Sequence, residues 1–117
     1  MQLHEIVKLL GAEVLVGAGD LDREISAVHA SDLISHVLAT CTRGALWLTG
    51  LLDSQIVNTA ELFDLSAVVF VANRRPTQDI IEAAEMENVP VLCTQYTMFE
   101  SCGLLYSKGL KPSRRCG

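Results

Sequence analysis

Leu65-Ser66-Ala67-Val68-Val69-Phe70-Val71-Ala72-Asn73-Arg74-Arg75-Pro76-Thr77 is the stretch around which the chain is organised. Ala67 to Ala72 is an unbroken apolar run rich in β-branched residues, which fits a strand covered on both faces. Such a strand belongs in the middle of a parallel sheet. The run stops at Asn73-Arg74-Arg75-Pro76, and Thr77 then opens a helical pattern. A strand, a short polar turn and a helix N-terminus form the unit of an α/β domain.

The same alternation extends on both sides. Downstream, Gln78 to about Glu87 reads as a helix with Ile80, Ile81 and Ala84 inward. Asn88 suits the left-handed position that ends a helix, and Pro90 prevents its continuation. Val89 to Thr94 is the next strand. Thr97-Met98-Phe99-Glu100 fits a capping box, opening a helix that runs to about Tyr106. Upstream, Ala45 to Thr49 is a strand, and Asp53 or Ser54 caps a helix bearing Ile56, Val57, Ala60 and Phe63. Strands at 45–49, 66–72 and 89–94, joined by single helices, imply successive right-handed crossovers.

Nearer the N-terminus, Leu3, Ile6, Val7 and Leu10 form one apolar helix face closed by Gly11. Ala12 to Val16 is a short strand, and Gly17-Ala18-Gly19-Asp20 a turn. Glu24 to Ala30 reads as extended, with Ile25 and Val28 on opposite faces. Ser31 or Asp32 can cap the helix that follows, whose apolar set is Leu33, Ile34, Val37 and Leu38.

A chain of 117 residues, half of them hydrophobic, is expected to make one domain with a full core. No apolar run approaches the roughly 20 residues that span a bilayer, and the N-terminus lacks the pattern of a signal peptide. A cytoplasmic protein is expected. Residues 1–106 carry five Lys/Arg against 14 Asp/Glu, a net charge of −9, while Lys108 to Arg115 carries +4. An acidic body repels phosphate backbones, so nucleic acid is not an expected partner. The segment 107–117 reads as a basic, flexible tail.

The cysteines, Cys41, Cys93, Cys102 and Cys116, include no C-x-x-C pair, so neither a metal site nor a cofactor is expected. Cys93 and Cys102 read as buried, Cys41 and Cys116 as exposed thiols. His29 reads as a packed strand residue and Trp47 as core.

Several pieces, taken in order, resemble one family. They are Leu9-Leu10-Gly11-Ala12-Glu13-Val14-Leu15, Ala30-Ser31-Asp32-Leu33-Ile34-Ser35-His36-Val37-Leu38-Ala39 and Ala45-Leu46-Trp47-Leu48-Thr49. The central strand with Arg75-Pro76, Val89-Pro90-Val91-Leu92-Cys93-Thr94 and the capping box complete the set. Together they look like the DRTGG domain over nearly the whole chain. The resemblance implies a three-layer-type α/β sandwich with a mainly parallel sheet, like the N-terminal domain of HPr kinase/phosphatase. It also implies a non-catalytic, often regulatory domain that tends to dimerise. One departure stands out: where the family usually has Thr-Gly-Gly after the central strand, this chain has Ala72-Asn73-Arg74.

Ligands of open α/β sheets sit outside the carboxyl ends of the strands. Here those ends present Ser31, Asp32, Thr49, Gly50, Asn73, Arg74, Arg75, Thr94 and Gln95, and Thr77 opens a helix; Ser31, Asp32, Thr49, Asn73, Arg74, Arg75, Thr77 and Thr94 are the expected ligand set. Arg74 and Arg75 can grip a phosphate or carboxylate through paired bonds, with the helix N-terminus at Thr77 adding to the attraction. The competing reading makes the arginines solvated turn residues and Thr77 a plain cap. For Ser31 and Asp32, ordinary helix capping is the favoured account. No Ser–His–Asp set and no phosphate loop is spaced for catalysis. Three functional classes remain, in falling order: a regulatory module sensing an anionic metabolite or nucleotide, an assembly or adaptor protein that dimerises or docks on an enzyme without a small ligand, and a small enzyme, against which the near absence of His, Lys and Cys at the strand ends argues. A homodimer is expected, with the edge strand near Ile25 to Val28 as the candidate interface.

Overall fold

The computed structural model describes residues 1–35, 37 and 42–113. Helix α1 (Leu3–Leu10) leads into β1 (Glu13–Val16), a short 3-10 turn (Ala18–Asp20) and β2 (Ala27–Ala30). There follow β3 (Ala45–Thr49), α2 (Gln55–Leu62), β4 (Ala67–Phe70), α3 (Gln78–Glu87), β5 (Val91–Cys93) and α4 (Met98–Ser107). His36, Leu38, Cys41, Arg114, Arg115 and Cys116 lie outside the described residues.

The five strands form one sheet in the order β1-β5-β4-β3-β2. The strands β2 to β5 run parallel, and β1 joins antiparallel at the edge beside β5. The stretch quoted first therefore supplies the middle strand of the sheet. It is shorter than its apolar run suggests, because the chain turns left-handed at Ala72 and Asn73.

Strand alternation sends side chains to two separate cores. Trp47, Val68, Phe70 and Val91 meet α2 and α3 on one face, with Val37, through Ile56, Val57, Ile80 and Ala84. Leu46, Leu48, Val69 and Leu92 meet α1 and α4 on the other, through Leu3, Ile6, Leu10 and Leu105. Each face of β3 and β4 is covered, so these strands are buried at every position rather than at alternate ones, and all but Thr49 are apolar. The result is a three-layer α/β/α sandwich.

The caps follow local chemistry. Gly11 and Asn88 end α1 and α3 with φ of 55° and 56°. Thr97 and Glu100 form the capping box of α4, and Thr77 Oγ1 accepts the Ile80 N–H. At α2 it is Asp53 whose carboxylate accepts the Gln55 N–H, while Ser54 makes no side-chain cap.

Four readings change. Ile25 and Val28 share a core rather than facing opposite ways, because regular strand alternation starts only at Ala27. Leu33 is 64% exposed, so it stands outside the apolar set that Ile34 and Val37 join. Cys93 is buried, but Cys102 is only half-buried. The chain beyond α4 also turns back: Gly109 adopts φ 92°, and the Val28 N–H donates to Lys111 O at 2.9 Å while the Ser113 N–H donates to Val28 O at 2.8 Å. Residues 111–113 thereby occupy the edge of β2 at Val28, where pairing with a second molecule was expected.

Candidate functional site

At the carboxyl end of β4 the chain makes a tight turn from Val71 to Arg74, closed by the Arg74 N–H donating to Val71 O at 3.0 Å. Both central residues are left-handed, Ala72 at φ 56° and Asn73 at φ 55°. This is the geometry of a type I′ turn, which favours glycine and asparagine. Asn73 tolerates it, but an alanine there is strained by about 1–2 kcal/mol. The fold holds the turn from both sides. The Val71 N–H donates to Thr49 O, the Ala72 N–H to Tyr96 O at 2.7 Å and the Asn73 N–H to Thr94 O at 2.8 Å. Every backbone N–H from Val71 to Arg74 is thus used internally, and the turn offers a ligand its side chains only. Ala72→Gly should raise the melting temperature by a few degrees, since relief of about 1–2 kcal/mol outweighs the roughly 0.5–1 kcal/mol entropic cost of glycine. A calorimetric scan showing no gain would mean that the turn carries no strain.

Asp32 sits beside this turn in a role that its sequence position does not announce. Its Oδ1 accepts the Thr49 hydroxyl at 3.0 Å and the Gly50 N–H at 2.7 Å. It therefore pins the end of β3, while Ser31 Oγ accepts the Leu33 N–H and opens the helical turn. Capping accounts for Ser31 but not for Asp32. A Cβ on Gly50 would lie 3.8 Å from Asp32 Oδ1 and 3.9 Å from Arg74 Cγ, which places Asp32, Gly50 and Arg74 around one point. The loop behind them is fixed by Trp47, whose Nε1–H donates to Ser31 O at 2.8 Å.

Of the residues picked from sequence, Ser31, Asp32, Thr49, Asn73 and Arg74 stand together. Arg74 is exposed and makes no ion pair among the described residues. The other three are engaged elsewhere. Arg75 donates through Nη1 and Nη2 to the two carboxylate oxygens of Glu13 at 3.1 Å each, tying the β1 edge to the turn. These bonds and the adjacent positive charge hold the Glu13 carboxyl below its ordinary range. Thr94 Oγ1 donates to Leu10 O at 2.7 Å, on the opposite face of the sheet, and locks the end of α1 to β5. Thr77 caps α3, whose first turn already carries the Asp79 carboxylate at its positive end.

Gly50, which the sequence places at a strand end, matters through its close neighbours. One residue of the site escapes sequence reading: Tyr96, 40% exposed, lies against the turn through its carbonyl. The only signal for Tyr96 is an aromatic residue just past a strand end. Beneath the turn, burial pushes the Cys93 thiol up, which keeps it protonated. Among the described residues no three His, Cys, Asp or Glu side chains gather as a metal centre would need. No helix among them is long and apolar enough to cross a membrane.

An arginine without an ion pair among the described residues, a pinned carboxylate and two hydroxyls stand together at the carboxyl edge of the parallel sheet of a small α/β domain. The chain belongs to the DRTGG domain family, whose model matches residues 5–107. No curated protein matches it. Among solved structures it is similar to the CBS and DRTGG domains of the regulatory region of Clostridium perfringens pyrophosphatase, complexed with its activator diadenosine tetraphosphate. The superposition gives a TM-score of 0.74 at 19% identity, covering 89% of this chain and 45% of that one. This chain therefore spans less than half of that regulatory region.

Proposed function

We propose that this protein is a non-catalytic regulatory module that senses an anionic metabolite or nucleotide at the carboxyl ends of β3 and β4. The observation that carries the reading is Arg74, an exposed guanidinium without an ion pair among the described residues, on a strained turn. Strain of this kind collects at ligand sites. Asp32 beside it is an acceptor suited to a ribose or base edge, so a nucleotide fits the pair of charges better than a bare phosphate does. The activator in the related pyrophosphatase region is itself a dinucleotide polyphosphate.

The test is a thermal-shift titration with ATP, diadenosine tetraphosphate and inorganic phosphate. A charge-assisted bond of about 1.5–3 kcal/mol corresponds to a tenfold to hundredfold change in affinity. Arg74→Ala should remove that much binding and leave the unliganded melting temperature unchanged, because an exposed arginine adds little stability. Nucleotide binding of equal strength in the variant would place the site elsewhere.

Homodimer formation, and docking on an enzyme that the module regulates, belong to the same proposal. Supporting it are the large apolar side chains left at the surface, Leu62, Met86 and Phe99 at 73%, 81% and 87% exposed. A monomer in light scattering at tens of micromolar would remove the dimer.

A further inference from the structure

The geometry points to a second binding site, a groove between β2, α4 and the returning segment 110–113, that takes a small aryl or alkyl carboxylate. The groove exists because α1 and α4 leave the outermost parallel strand half covered on their side of the sheet. Val28 is only half-buried there, although Leu46 and Leu48 on the neighbouring strand are fully buried. The chain then turns at Gly109 and runs back along β2, which gives one wall to a half-open groove of about 370 Å³. That volume lies near the low end of the range for ligand pockets, roughly 300–1,000 Å³, and suits a compact body.

The lining decides the chemistry. Val28, Ala30, Leu105, Leu110 and Pro112 give it mostly apolar walls, His29, Tyr106 and Ser113 add polar atoms, and Cys102 faces it as a thiol that burial pushes up and keeps neutral. Among the described residues no acidic side chain lines it. Among the described lining residues the one formal charge is Lys111, which makes no ion pair among the described residues. Its backbone is held by the bond from the Val28 N–H, so the amine is presented from a fixed base. An apolar bed with one cation at its edge complements an apolar molecule with one anionic head. Arg74 and Asp32 take no part in it.

Titration with the fluorescent probe anilinonaphthalene sulfonate tests the site on the full chain. The expected result is one saturable site per chain, displaced by phenylacetate but not by neutral phenylacetamide. Lys111→Glu should weaken the probe and phenylacetate by roughly tenfold to a hundredfold. Cys102→Trp should fill the cavity and abolish binding. Ala30→Phe, at an exposed position, does the same without disturbing the core. Arg74→Ala should leave this binding intact, which separates failure here from failure of the nucleotide reading. Equal displacement by phenylacetamide, or full binding in both filled variants, would overturn the site. So would binding that falls as protein concentration rises, because a second copy of the chain would then be covering the groove.

Discussion

Trp47→Ala is expected to bring the domain close to unfolding. The side chain is fully buried in the centre of the sheet, between His29 on β2 and Val68 on β4. Truncating a buried tryptophan costs about 3–5 kcal/mol, against a total stability of roughly 5–15 kcal/mol. A urea midpoint should fall by a third or more. Trp47→Phe separates two contributions, since it keeps most of the volume but loses the bond from Nε1–H to Ser31 O. It should be far milder in stability, yet it frees the loop that carries Ser31 and Asp32. Nucleotide affinity should then drop further than stability does. Equal urea midpoints for Trp47→Ala and the unaltered protein would contradict the burial described here.

Gly17→Ala should be the next most damaging single change. Gly17 follows β1 at φ 93°, a conformation in which side chains are strained. An added Cβ would stand 2.8 Å from Pro90 Cβ and 2.9 Å from Pro90 Cα. Pro90 cannot yield, because its carbonyl accepts the Val68 N–H and so holds the start of the central strand. Overpacking of this kind costs about 1–3 kcal/mol, and the backbone strain adds to it. A fall in melting temperature of roughly 8–12 °C is expected for a domain of this size. A fall of under two degrees would show that β1 can move away from β5.

These two positions differ in how far the sequence reveals them. Trp47 is legible as core, because an apolar residue in the middle of Ala45-Leu46-Trp47-Leu48-Thr49 has nowhere polar to go. Gly17 is legible only as a turn glycine. Its contact with Pro90 joins residues that lie far apart in the chain, and no local pattern encodes it.

The sequence by itself determined the alternation of strands and helices, the central place of β4, the caps at Gly11, Thr77, Asn88 and Thr97, and the family. Each is set by periodicity or by a side chain bonding within a turn of its own backbone. The tertiary structure alone decided what the polar residues at the strand ends do. Arg74 and Arg75 are neighbours of the same type, yet Arg75 meets Glu13 and Arg74 makes no ion pair among the described residues. Asp32 reaches Thr49 and Gly50 far along the chain, and Thr94, whose Oγ1 accepts the Tyr96 N–H locally, also donates to Leu10 O. Long-range partners of this kind depend on strand order and on which face of the sheet a side chain leaves. Strand order is fixed only when the apolar faces of β1 to β5 pack together, and a hydrogen-bonding side chain then takes whichever partner that packing brings within 3 Å or so.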